Sequence, residues 1–132
     1  MQTLQTHLSI DTSLSGKVVT LNDNFSRVLL HTTHVMKADT QDLVHGGFIF
    51  SAADYAAMCA VNDPLVVLGA SSSKFISPVK LGNVVVLEAT VVSTKGKKRE
   101  VNVIAKVDDR VVFEGKFTTF VLDKHVLSGE KS

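Results

Sequence analysis

Gly47-Phe48-Ile49-Phe50-Ser51-Ala52-Ala53-Asp54-Tyr55-Ala56-Ala57-Met58-Cys59-Ala60-Val61 is the stretch that decides the architecture. Five alanines and a methionine favour helix, and the run is too long for an average strand. Asn62-Asp63-Pro64 then supplies a stop. Apolar residues leave no broad polar face, so protein must surround this helix on most sides. It is too short to span a bilayer, which takes about 20 residues. His45-Gly46-Gly47 opens the helix, and a single carboxylate, Asp54, interrupts it.

The flanking sequence is β-rich. Lys17 to Leu21 is a short strand-like run closed by the turn-like Asn22-Asp23-Asn24, and Phe25 to Met36 reads as a strand. Downstream come Leu65 to Ile76, broken by Ser77-Pro78, then Val84 to Thr94, Glu100 to Val107 and Val111 to Leu122. Lys95-Gly96-Lys97-Lys98 and Asp108-Asp109-Arg110 are the turns between the last three. Asn102, Ile104 and Lys106 alternate with Val101, Val103, Ala105 and Val107, the period of a half-buried strand. The reading is α+β: one long central helix wrapped by a curved antiparallel β-sheet whose consecutive strands form a meander, which is the hotdog arrangement. Residues 1–15 read as an N-terminal extension, either a short amphipathic segment or a frayed end. Residues 16–124 form the domain and 125–132 a C-terminal tail. Such a domain cannot cover its own helix and sheet edge. A two-fold homodimer with a continuous sheet is therefore expected, with further pairing into a tetramer left open.

The 132 residues are 45% hydrophobic and 20% charged, with a formal net charge of +1. That balance suits one globular domain and gives no field that would attract nucleic acid or a membrane, so neither is expected as a partner. One cysteine excludes an internal disulfide and fits a reducing compartment. With no signal-peptide pattern after Met1 and no membrane-length apolar run, the expected location is cytoplasmic. The five histidines lack zinc-site spacing, and no metal is expected. His31 and His34, three apart on the expected strand, would face opposite sides. Cys59 reads as a small core residue, and Ser71-Ser72-Ser73 is no nucleophile elbow because no helix follows it.

The chemistry gathers at Asp39 to Asp54. Gly46 and Gly47 permit close approach of a ligand to the backbone, and the first-turn N–H groups have no partner within the helix. Such donors suit an anion or a polarised carbonyl oxygen, although a tight turn with His45 capping or packing would also explain the glycines. Asp54 must be hydrogen-bonded, reach a cavity or bear a large desolvation cost. Burial without an adjacent cation would raise its pKa towards that of a general base. Asp39 is either a second site carboxylate or a turn residue. Phe48, Phe50, Tyr55 and Met58 are candidates to line an acyl pocket. The cluster Lys95, Lys97, Lys98 is either a solvated hairpin turn or a clamp for phosphates.

With those residues in hand, the chain resembles the hotdog-fold acyl-CoA thioesterase superfamily over roughly residues 16–122, especially the phenylacetyl-CoA thioesterase-like branch. The most specific match runs from His45-Gly46-Gly47 to Ala53-Asp54, supported by Phe75-Ile76-Ser77-Pro78-Val79, Gly82 and the Lys95-Gly96-Lys97 hairpin. The resemblance implies Asp54 as catalytic base or nucleophile and the Gly47 N–H as the donor that polarises the thioester carbonyl. It also implies substrate contacts from His45, Gly46, Phe75, Ser77 and Pro78, and places Lys95, Lys97 and Lys98 near the phosphate end of coenzyme A. Acyl-CoA is then ligand or substrate, no cofactor is needed, and the site lies at a subunit interface. Asp39 stands where the branch has an asparagine that positions the attacking water; an aspartate accepts from water but cannot donate. Residues 65–122, most closely Val111 to Phe117, also resemble the acyl-CoA-binding domain of the malonyl-CoA-responsive repressor of fatty-acid synthesis, which binds without hydrolysing. The expected function is acyl-CoA binding with thioester hydrolysis, the alternative a non-catalytic acyl-CoA sensor using the same groove.

Overall fold

The structure, a computed structural model, describes residues 2–128; the end of the tail expected over 125–132 lies outside the described residues. The order of elements is α1 (Thr12–Ser15), β1 (Lys17–Asn22), β2 (Phe25–His31), a 3-10 turn (His34–Met36), α2 (Gly46–Val61), β3 (Val66–Phe75), β4 (Val84–Lys95), β5 (Lys98–Val107) and β6 (Arg110–Val121). It is a hotdog fold of mixed α+β class, with α2 laid across one six-stranded antiparallel sheet.

The alternation read on β5 holds: Val101, Val103, Ala105 and Val107 are buried, while Asn102, Ile104 and Lys106 face outward. On the inner face they join Phe113 and Phe117 of β6 and the small side chains of α2. Ala52, Ala53, Ala56 and Ala57 are all fully buried. Side chains this small bring the helix backbone down onto the sheet, close enough for the buried Ser26 hydroxyl to donate to the Ala56 carbonyl at 2.6 Å. A larger residue at these positions would lift the helix and break that bond.

Two expectations are corrected. The strand read as Phe25 to Met36 ends at His31, because the Thr32 hydroxyl donates to the Asn83 carbonyl and accepts from the Gly82 N–H, diverting the chain into the 3-10 turn. His34 therefore lies off the strand, and the two-sided argument for His31 and His34 lapses. The strands after α2 also do not form an uninterrupted meander. The order is β1-β2-β4-β5-β6-β3. Helix α2 carries the chain over the sheet, so β3 lands at the far edge beside β6. The connection 76–83 then returns to the middle, anchored by Val44 N–H on the Val79 carbonyl and Leu81 N–H on the Asp42 carbonyl.

The N-terminal residues are packed on the domain. Gln5 N–H donates to the Asn62 side chain, which in turn donates to the Thr3 carbonyl. Asn62 is the C-cap of α2 in the left-handed conformation, so one residue ends the helix and ties down the chain start. Among the described residues no helix is long and apolar enough to cross a membrane.

Candidate functional site

The site is built from the first turn of α2 outward. His45 is the N-cap, and its Nδ1 accepts from the Gly47 N–H at 2.8 Å. The donor assigned in the sequence reading is thus engaged by the helix's own cap, while the neighbouring Gly46 N–H has no hydrogen-bond partner among the described residues. Gly46 is needed for space as well: a Cβ there would meet the Phe75 ring at 3.2 Å.

Between this turn and the end of β3 lies a groove of about 290 Å³, lined by Val44, Gly46, Ile49, Phe75, Ser77 and Pro78 among others. Phe75 stands edge-on to Phe113 at 5.2 Å yet is 56% exposed, and the adjacent Ile76 is 49% exposed. The two form an exposed apolar pair beside the groove.

Asp54 follows Gly46 and Phe50 at four-residue spacing, so the three lie along one side of the helix. Gly46 faces Phe75 of β3 and Phe50 packs on Phe117 of β6 at 5.6 Å, so this side is turned towards the β3 edge. The Asp54 Oδ1 is buried without a hydrogen-bond partner. Burial alone pushes the carboxyl up from 3.8 to about 6. A carboxylate with that pKa and an unused oxygen is equipped to take a proton near neutral pH. The only other such orphaned side-chain atom among the described residues is the Ser73 hydroxyl of β3.

The remaining candidates divide. Gly46, Phe75, Ser77 and Pro78 meet at the groove, with His45 on its rim and Phe48 edge-on to the His45 ring. Asp39 sits on the exposed loop, where its Oδ1 accepts from the N–H groups of Gln41 and Leu43, the turn role. Tyr55 is buried on another side of α2 against Cys59 and lines no part of the groove. Burial raises its phenol above the usual range and the Cys59 thiol to about 12, leaving both inert. Met58 is likewise sealed in the core. Lys95, Lys97 and Lys98 lie at the other end of the protomer. Lys98 is in register with Phe120 and hence Val67, eight residues along β3 from Phe75, or about 25 Å at ~3.3 Å per residue. Val44, Val79 and Val112, all buried beside the groove, were not expected from the sequence to line it, and only the loop pairing that brings them together reveals this.

The model of the thioesterase superfamily matches residues 41–114. The chain belongs to that superfamily. The match spans the helix turn, Asp54 and the groove. The thioesterase-superfamily chain is similar to the uncharacterized protein PH1136 of Pyrococcus horikoshii, at TM-score 0.94 and 44% identity over 96% of this chain and 97% of that one. It is also 49% identical over 128 residues to part of the methylthioribose-1-phosphate isomerase of Aquifex aeolicus (strain VF5), covering 97% of this chain and 28% of that protein. The transcription factor FapR of Thermoanaerobacter sp. (strain X514) is 35% identical over 85 residues, 64% of this chain and 42% of that protein. The chain therefore spans less than half the length of these curated relatives. Two more distant structures share the fold: the PaaI protein of the E. coli phenylacetic acid degradation operon, at TM-score 0.75 and 20% identity, and a hypothetical thioesterase protein of Streptococcus pneumoniae TIGR4 solved with coenzyme A, at 0.74 and 20%. They cover 83% of this chain each, and 85% and 87% of their own. The resemblances drawn from the sequence, to a PaaI-like thioesterase and to the fatty-acid-synthesis repressor, both reappear here.

Proposed function

We propose that this protein hydrolyses acyl-CoA thioesters as a homodimer, with Asp54 as the general base. The observation that carries the reading is the buried, unpartnered Asp54 Oδ1 on the side of α2 turned to the β3 edge. The Asp54 carboxylate takes a proton from water, whose oxygen bonds to the thioester carbonyl carbon. The resulting oxyanion accepts from the Gly46 N–H of the facing subunit, because eight residues of helix set Gly46 about 12 Å from Asp54 within one protomer. Collapse breaks the carbon–sulfur bond, and the thiolate of coenzyme A recovers the proton from Asp54, leaving the free acid. The coenzyme A present in the Streptococcus pneumoniae thioesterase supports this ligand class.

Support for the dimer comes from β3, which has no partner strand on its outer side among the described residues. Antiparallel pairing of two β3 edges about a two-fold axis would cover Phe75 and Ile76. It would also set the Phe75 end of one protomer beside the Val66 end of the other. That arrangement brings the partner's Lys95–Lys98 hairpin to the groove, two strands further on, within the reach of a coenzyme A molecule. The separation of about 25 Å within one protomer is then no obstacle.

A panel of acyl-CoAs assayed by thiol release tests the reading: wild type is expected to turn over at least one of them, and Asp54→Asn to lose the activity. Equal release by the two proteins would sink it. A second reading, an acyl-CoA sensor without hydrolysis, draws on the FapR similarity and on the Asp39 carboxylate's engagement by its own loop. It predicts no turnover but a ligand-induced rise in melting temperature with the same panel.

A further inference from the structure

A second pocket, of about 260 Å³, lies at the C-terminal end of α2 and is lined by His7, Leu65, Val66, His125 and Val126 among others. The proposed hydrolysis uses none of these residues. The two histidines come from opposite ends of the described chain. His7 belongs to the segment 2–10 laid over the end of α2, and His125 to the segment after β6. Among the described residues no aspartate, glutamate, lysine or arginine lines this pocket.

His7 is partly buried, whereas His125 is exposed. The His7 Nδ1 lies 2.7 Å from the hydroxyl of the buried Thr6, and its ring centre is 6.2 Å from that of Tyr55. Its backbone is in the left-handed region at φ 55, which a side-chain-bearing residue adopts only where its surroundings impose it. Tyr55 brings no charge, because burial raises its phenol above the usual range. Asp63, in the turn after α2, is engaged by the Leu65 N–H at 2.8 Å. Burial lowers the His7 pKa from 6.5, and no charged group offsets it.

Few bonds hold the segment down. The Gln2 N–H donates to the Leu21 carbonyl, the Gln5 N–H to the Asn62 side chain, and Asn62 to the Thr3 carbonyl. Leu4 and Ile10 pack on the core only in part, and Leu8 is exposed. Opening such a segment costs less than unfolding the sheet. We infer that residues 2–10 are an acid-released strap, latched over the end of α2 by a neutral His7 and loosened when that ring takes a proton. With the strap closed, burial favours the neutral ring; with it open, the ring is solvated and titrates near the ordinary 6.5. Closure is therefore undiminished above that pH and weakens as pH falls below it. His125 can only add to the effect: neutral it is silent, and charged it repels a charged His7. The latch needs neither ligand nor dimer, so its test is separate from that of hydrolysis.

Hydrogen–deuterium exchange of the full chain tests the latch, read as protection relative to the intrinsic rate at each pH. Between about pH 7.5 and 5 the peptide over residues 2–10 is expected to lose roughly threefold to tenfold in protection, while β5 keeps its own. His7→Asn tolerates the left-handed backbone and cannot charge, so its protection should stay constant across that interval. Wild-type protection independent of pH overturns the inference. So does an equal fall in His7→Asn, which would place the titrating group elsewhere, or a parallel loss in β5, which would make the effect global. If His7→Asn leaves the strap open at both pH values, a nuclear magnetic resonance titration of wild type decides. A His7 midpoint below that of a histidine in an unstructured peptide, shared by the Gln5 amide shift, supports the latch. An ordinary midpoint, or a Gln5 shift that does not follow it, overturns it.

Discussion

At its C-terminal end α2 is closed by Asn62, whose left-handed backbone caps the helix while its side chain accepts from Gln5 and donates to Thr3. At its N-terminal end the finish is sparse: His45 satisfies the Gly47 N–H, Gly46 is left open, and Phe75 and Ile76 stand uncovered beside it. The same helix thus has one end tied down by its cap residue and one end with an open N–H. Asp54, two turns in from the open end, belongs with the second kind, since its burial is uncompensated. If hydrolysis takes place as proposed, stability lies with the closed end and chemistry with the open one, and substitutions at each should separate the two.

The largest effect is expected at Asp54. Asp54→Asn should lower thioester hydrolysis by at least about 10²-fold, the contribution of a positioned general base. The same substitution should stabilise the protein. Moving a carboxyl from 3.8 to about 6 costs on the order of 3 kcal/mol when it is ionised, at 1.36 kcal/mol per pH unit. The sign follows from where the proton sits. Below pH 4 the group is protonated in both folded and unfolded chains and the cost is absent. It grows as pH rises from about 4 to 6 and is complete at pH 7. Wild type should therefore lose stability across that window relative to Asp54→Asn, and wild-type kcat should rise through an apparent pKa near 6. Denaturant melts at pH 4 and pH 7 check the first, and a pH–rate profile the second. Equal pH dependence of stability in the two proteins would mean that Asp54 is compensated.

Next comes the closed end. Asn62→Ala puts a Cβ-bearing residue without a compensating side chain at φ 52 and removes two hydrogen bonds. A loss of about 2–3 kcal/mol is expected by thermal or denaturant melting. Asn62→Gly relaxes the backbone but not the tie to the chain start, so it should recover about 1 kcal/mol of that loss. At the open end His45→Ala removes the cap from Gly47 and should cost about 1 kcal/mol. It also frees the second N–H, so any loss of kcat should be much smaller than that of Asp54→Asn. A drop in kcat as large as that of Asp54→Asn would move the imidazole into the chemistry.

What could be read from the sequence divides along the same line. Asp54 announces itself because a carboxylate among alanines is a local anomaly. The helix and the alternating strands are equally local, and the fold followed from them, whereas the family came from the resemblance carried by His45 to Asp54. The far-edge position of β3 was not legible, because it depends on where α2 delivers the chain and no residue within β3 encodes that path. Tyr55 was misplaced for a related reason: a helix apolar on all sides has no polar face from which to read its rotation. The dual use of His45, acceptor for Gly47 while Gly46 stays open, is a matter of one side-chain torsion that composition cannot report.

The smallest effect, and the one that sharpens the comparison between the two ends of β3, concerns the lysine hairpin. Lys97 is 2.6 Å from Asp123 and Lys98 is 3.2 Å from Glu100, whereas Lys95 has no carboxylate partner among the described residues. Exposed ion pairs contribute at most about 1 kcal/mol, so Lys97→Ala should leave the melting temperature nearly unchanged. For ligand phosphates the order should be Lys95 before Lys97, because a lysine already paired must surrender one carboxylate to gain another anion. Lys95→Ala is expected to weaken acyl-CoA affinity about threefold to tenfold at low salt, Lys97→Ala less, and both differences should shrink as salt rises. A short acyl thioester of pantetheine, lacking the nucleotide, should bind all three proteins alike. If Lys95→Ala weakens that truncated ligand as much as acyl-CoA, the hairpin does not read phosphates, and the route of the ligand from Asp54 to the other end of β3 would have to be redrawn.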